Sequence, residues 1–181
     1  MTLTRRPAQP QTDDAIARCH AWYRAYGRAV YRLVRFQVDS ADTADDITGD
    51  VFLRVLEAGP TYDPARGDAG PWVFSIARNA VRDHFRRLKV RRHVNLGALR
   101  DVAVDAPSQE ERVMRQEQIG RLLVSVQLLK ESDRDLIGLR YGSELSTAEI
   151  ARMVGVAEGA VRTRLSRALA RLRSALGEGT A

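Results

Sequence analysis

Four side chains near the end of this chain, Arg162, Thr163, Ser166 and Arg167, have the types and spacing to read nucleic-acid bases. Arginine grips guanine bidentately through O6 and N7, and serine or threonine hydroxyls bond either bases or phosphate. Advancing about 100° per residue from Val161 puts Val161, Leu165, Ala168, Leu169 and Leu172 on one stripe. Thr163, Ser166 and Arg167 then point the opposite way. Arg162 flanks them on one side, with Arg164 and Arg171 on the other. Flanking arginines more often touch phosphate, which positions a helix without carrying sequence information.

The elements that must position these groups are legible just upstream, in the run STAEIARMVGVAEGAV at 146–161. Ser146 followed three residues on by Glu149 is a capping box, Gly155 closes the short helix that follows, and the arginine-studded helix begins within a few residues. This is a helix-turn-helix pattern, in which the second helix enters the DNA major groove. The bland alternative is an amphipathic helix whose arginines are merely solvated. The capped helix and short turn in front of it favour duplex DNA.

A second constellation fills residues 70–92, GPWVFSIARNAVRDHFRRLKVRR. Arg78, Arg82, Arg86, Arg87, Lys89, Arg91 and Arg92 are opposed there only by Asp83, with Trp72, Phe74 and Phe85 among them. Basic residues track a phosphate backbone while aromatic faces stack on extruded bases, each stack contributing roughly 1–3 kcal/mol. Asn79 carries a donor and an acceptor together and can read the edge of such a base. On the residues alone, Trp72 and Phe74 at helical spacing read as core more readily than as platform. Asp45, Asp46 and Asp50 form a third group. Clustered carboxylates serve two-metal nucleases, but these share one surface helix with no His or Lys nearby to complete a site.

The 181 residues carry a net charge of +6, which leans toward a polyanionic partner. Hydrophobic residues at 44% suffice for packed cores, while aromatics at 6% and the lack of strand-like alternation favour helix packed on helix. Cys19 is the only cysteine, which excludes an internal disulfide and a cysteine zinc site. His20, His84 and His93 have no ligand-like spacing. No apolar run approaches the roughly 20 residues that span a bilayer, and the polar start lacks a signal-peptide core. A cytoplasmic protein without membrane insertion is expected.

The expected fold is all-α, with two small helical domains joined by a flexible linker. Residues 1–12 read as a disordered tail. Residues 13–92 read as a three-helix domain, with helices over about 13–38, 43–57 and from Pro71, and a loop over 61–70. Residues 93–115 read as the linker. Residues 116–178 read as a four-helix domain, in which Ser132 with Asp135 caps a short helix ending near Tyr141 and Gly142. Cores this small are marginal alone, so each domain is expected to gain stability from a partner.

Three motifs in order, DDITGDVFLR at 45–54, WVFSIARNAVRD at 72–83 and the helix-turn-helix, resemble the extracytoplasmic-function sigma factors of bacterial RNA polymerase. The resemblance covers roughly Asp13 to Leu176. It implies a promoter-specificity subunit that is not an enzyme and holds no cofactor or metal. Its implied partners are bacterial core RNA polymerase, promoter DNA and an anti-sigma factor. The N-terminal domain would bind the polymerase clamp and open the −10 element, and the C-terminal domain would read the −35 element and dock on the flap. Carried over by residue, Asp45, Asp46, Asp50 and Phe52 match the clamp-binding segment, with Phe52 as an apolar anchor. Tyr62, Asp63 and Arg66 fall in the loop that captures a flipped base. Trp72, Asn79, Arg82 and Arg86 follow along the melting helix, and the linker matches the segment that threads the polymerase cleft.

Three positions depart from the pattern. Gly49 stands where glutamine is common, and Ala157 and Ala160 replace a serine cap and a threonine. Loss of a cap costs about 1 kcal/mol, so the recognition helix is expected to order fully only on DNA or polymerase. The rival reading is a self-sufficient helix-turn-helix regulator, which would need a symmetric operator.

Overall fold

The computed structural model describes residues 10–92 and 110–178, and every regular element among them is helical. Helices α1 (Pro10–Arg35), α2 (Ala41–Ala58) and α3 (Ala69–Arg92) form the N-terminal unit. The C-terminal unit holds α4 (Glu110–Gln127), α5 (Glu131–Ile137), a π-helical turn over Gly138–Gly142, α6 (Thr147–Val154) and α7 (Glu158–Glu178). The all-α expectation holds. Helix α1 starts at Pro10, within the stretch read as a tail, and α4 starts at Glu110, within the stretch read as linker. The rest of both stretches, residues 1–9 and 93–109, lies outside the described residues.

Local chemistry explains the main boundaries. Helix α1 gives way to a turn at Phe36 and Gln37, where the Arg35 guanidinium donates to the Val38 carbonyl at 2.9 Å. Ser40 then starts α2, its Oγ accepting the Thr43 amide at 3.0 Å, which satisfies one of the amides a helix start leaves unpaired. The α2 stripe Ala44, Ile47, Val51 and Val55 is buried, and α3 answers with Val73, Ala77, Ala80 and Val81. Burying each of the valine and isoleucine side chains contributes about 1.5–3 kcal/mol.

The expected cap of α5 is corrected. Lys130 occupies the N-cap position without a side-chain bond, and Ser132 lies exposed in the first turn. Asp135 instead faces the N-terminal unit, accepting from Arg78 Nε at 2.5 Å and from Gln37 Nε2 at 3.3 Å. Competition from a tertiary partner has overridden a local capping pattern.

One hydrophobic core crosses both units, running from Val30, Leu33 and Val34 through Leu136, Leu139, Leu145 and Ile150 to Val161 and Leu165. Two glycines allow this approach. A Cβ on Gly142 would lie 2.8 Å from the Leu33 backbone nitrogen, and one on Gly138 2.8 Å from Leu33 Cδ1. The chain continues through Glu144, held at φ 60 with its carboxylate 2.7 Å from Arg32. In this arrangement the two small units bury apolar surface against each other.

Candidate nucleic-acid interface

The helix-turn-helix forms as its caps dictate. Ser146 Oγ accepts the Glu149 amide at 3.2 Å while Glu149 Oε2 accepts the Ser146 amide at 2.8 Å. Those bonds, from the Ser146 hydroxyl and its backbone, hold the Glu149 carboxyl below the usual glutamate value. Gly155 ends α6 in the left-handed region at φ 72 and ψ 37, with its amide on the Ala151 carbonyl at 2.9 Å. The expected penalty at Ala157 does not prevent α7 from starting there. The Ala160 and Val161 amides close on the Ala157 carbonyl at 3.0 and 3.2 Å, and Glu158 accepts from Thr147 Oγ1 at 2.7 Å, tying the first turn of α7 to α6.

Along α7, Val161, Leu165, Ala168 and Leu172 are buried, and Leu169 is half-buried. Arg162, Thr163, Arg164, Ser166 and Arg167 are all exposed on the faces left over. Thr163 Oγ1 is engaged with the Gly159 carbonyl at 2.9 Å, and Arg162 stands a loose 3.9 Å from Glu158. Arg164 and Arg167 make no ion pair among the described residues. Arg171 differs from the expectation that it meets phosphate: its guanidinium is paired with the buried carboxylate of Asp133 on α5. It braces α7 against α5.

In the N-terminal unit the loop after α2 is a built object. Tyr62 donates its hydroxyl to the Gly67 carbonyl at 2.8 Å, and Asp63 Oδ1 accepts the Ala65 amide at 3.0 Å, folding residues 62–67 into a tight hook. Arg66 closes the 3₁₀ turn Pro64–Arg66, and its side chain lies outside the described residues. Tyr26 on α1 donates to Asp68 at 2.9 Å; burial and that bond push its phenol up to about 12, so it remains a protonated donor. Trp22, Tyr62 and Trp72 close on one another with centroids 5.2 to 5.4 Å apart. Trp72 is half-buried, packed on Trp22 of α1 and Tyr62 of the loop. Phe74, by contrast, is fully inside, edge-on to Tyr26.

Asn79, Arg82 and Arg86 are exposed on α3. Asp83 joins Arg86 at 2.9 Å and Arg54 of α2 at 2.8 Å, and the Arg54 bond holds its carboxyl below the ordinary aspartate value. On α2, Asp45 and Asp46 are exposed and Asp50 faces Arg54 at 3.0 Å. Among the described residues no three metal-ligating side chains converge.

Phe52 requires correction as an anchor. It is 7% exposed, packed edge-on against Tyr23 at 4.8 Å, whereas its neighbour Leu53 is 62% exposed in the middle of the acidic face. Arg78, one of the basic residues of α3, is paired with Asp135 of α5 at 2.5 Å.

Comparison with known proteins agrees with this geometry. Residues 22–91 match the family model described as sigma-70 region 2, and residues 119–172 match the model described as sigma-70, region 4. The chain is 37% identical to the ECF RNA polymerase sigma factor BldN of Streptomyces coelicolor over 95% of its length, spanning 65% of that protein. It is 33% identical to the RNA polymerase sigma factor CarQ of Myxococcus xanthus, covering 98% of this chain and 96% of that one. The sigma factor RpoE of Bartonella quintana, solved in complex with the anti-sigma factor NepR, shares the fold with a TM-score of 0.72 at 19% identity, covering 87% of this chain and 96% of that chain. The chain belongs to the extracytoplasmic-function sigma factors of RNA polymerase. It is a DNA-recognition subunit for transcription initiation, and no helix among the described residues is long and apolar enough to cross a membrane.

Proposed function

We propose that this sigma factor brings core polymerase to promoters by reading them at two places. Arg162, Thr163, Ser166 and Arg167 read the −35 element from the exposed face of α7, and Arg164 contacts the backbone. Tyr62, Asp63 and Arg66 with Trp72 and Asn79 receive an unstacked −10 base, while Arg82 and Arg86 follow the phosphates. Extruding a base costs a few kcal/mol, which stacking and pocket contacts offset. The observation that carries this reading is the partition of α7: four aligned apolar residues buried, five polar residues between Arg162 and Arg167 exposed, behind a glycine-terminated helix.

The acidic face of α2, with Asp45, Asp46 and Asp50 around the exposed Leu53, suits a basic helical surface on the polymerase clamp. The chain itself performs no covalent chemistry, and nucleotide transfer with its metal belongs to the core enzyme. It acts in the cytoplasm. An anti-sigma partner is supported by the solved relatives, RpoE with NepR and CnrH with the cytosolic domain of CnrY. Run-off transcription with core enzyme on a promoter selected by the holoenzyme tests the assignments. Combining Trp72→Ala, Asn79→Ala and Arg167→Ala abolishes the transcript; full activity of that variant refutes them.

A further inference from the structure

Helix α1 carries Arg18, Trp22 and Tyr26 one turn apart, and each meets a different part of the loop that joins α2 to α3. Their spacing of four puts them on a single ridge. At the start of the loop, Arg18 Nη2 and the Trp22 ring lie 3.6 and 3.9 Å from the place a Cβ on Gly59 would take. In its middle, Trp22 closes on Tyr62 and Trp72. At its end, the Tyr26 hydroxyl lies 2.9 and 3.2 Å from the two Asp68 oxygens, and Asp68 Oδ2 accepts the Gly70 amide at 3.1 Å. That last contact couples the loop to the first turn of α3. Gly70 leaves it room, since a Cβ there would stand 2.9 Å from Asp68 Oδ2 and 3.3 Å from the Tyr26 ring.

The ridge passes from a cation to aromatic faces. The Arg18 guanidinium carbon is 5.5 Å from the Trp22 ring centroid, its Nε is buried without a hydrogen-bond partner, and it forms no ion pair among the described residues. Stacking on a ring fixes the plane of a guanidinium, and the fork of N–H groups in that plane matches the oxygens of a phosphate. The unpaired guanidinium distinguishes this ridge from one that serves packing alone. Beside it, the rings of Trp22, Tyr62 and Trp72 are inclined to one another by 49° to 83°, so they enclose a corner rather than form a stack. An aromatic corner can hold a base lifted from the duplex, because every base offers a π face.

We propose that the −10 site extends onto α1: Trp22 is a further wall against the extruded base, Arg18 binds the phosphate of that nucleotide, and Tyr26, acting through Asp68, is a positioning residue that sets the loop. This rests on the two-place reading above and deepens its −10 half.

The test uses the holoenzyme, formed from the full chain and core polymerase, with two probes cut from a promoter that it selects. One is a duplex that ends upstream of the −10 element, and the other is a fork whose non-template −10 strand is single. Trp22→Leu, which keeps apolar bulk and removes the π face, should weaken the fork about tenfold and leave the upstream duplex unchanged. Arg18→Ala should weaken the fork about fivefold whatever its −10 base and lower its salt dependence by about one ion, and Arg18→Lys should restore most of the loss. Tyr26→Phe should narrow the discrimination between −10 bases severalfold, because the loop is held less firmly. Unchanged fork binding by Arg18→Ala and Trp22→Leu overturns the proposal, and so do equal losses on both probes, which would mean that the ridge serves folding alone. Unchanged base discrimination in Tyr26→Phe overturns its positioning role. Should Trp22→Leu lose helicity by circular dichroism, the Arg18 and Tyr26 variants decide. Trp72→Ala with Asn79→Ala separates the two ideas: a fork loss there with none from the α1 variants removes only the α1 assignment, and no loss from any of them removes the −10 reading itself.

Discussion

Arg54 on α2 and Asp83 on α3 meet at 2.8 Å, joining the helix that carries the acidic face to the helix proposed to carry the promoter-melting residues. The Arg54 bond lowers the Asp83 carboxyl from its ordinary 3.8, as the Ser146 bonds lower Glu149 from 4.5. A carboxyl whose folded value is depressed stabilises the fold fully above its unfolded value, and that contribution is lost as pH falls through the folded one. Denaturant titrations should therefore show stability constant near neutrality and falling below about pH 4.5. In Asp83→Asn the loss below pH 3.8 should shrink, with stability at neutral pH lower by roughly 1 kcal/mol.

Removing the α6 cap should loosen the recognition unit without touching any DNA-facing side chain. Ser146→Ala is expected to cost about 1 kcal/mol of stability, measured by urea unfolding. Ser146→Asp should retain most of it.

The exposed arginines of α7 separate by what they lose. Arg167→Ala should relax discrimination at one base pair of the −35 element, by about 1–3 kcal/mol. Arg164→Ala should weaken all sequences alike and reduce the salt dependence by about one ion. Arg171→Ala should act chiefly on stability, since it strands Asp133 in a buried site. Holoenzyme binding to promoter variants across a salt series distinguishes these three outcomes.

Much of this was readable in the chain. The stripe on α7, the capping box at Ser146 and the stop at Gly155 are local signals, and the helices they foretell are present. The misjudged residues depend on distant partners. Phe52 lies at the edge of the α2 stripe Ile47, Val51 and Val55, and it turns inward because Tyr23 of α1 covers it. Asp135 looked like a local cap because Gln37 and Arg78, its actual partners, lie 98 and 57 positions away. Gly142 reads locally as a helix end, while in the fold it and Gly138 allow close passage of Leu33.

Leu53 should matter to polymerase binding and not to folding. Leu53→Asp is expected to leave thermal unfolding unchanged and to weaken core binding at least tenfold, as loss of an interface anchor does. Surface plasmon resonance against immobilised core enzyme checks the second part. Phe52→Ala should do the reverse first, costing about 3–5 kcal/mol of stability through the cavity it leaves.

The most direct measurement is to mix the purified chain with bacterial core RNA polymerase, isolate the complex by size exclusion, and sequence the DNA it retains from a random pool. A one-to-one complex that enriches two separate blocks at fixed spacing is the predicted result. No co-elution with core enzyme, or enrichment of a single palindrome by the chain alone, would contradict it.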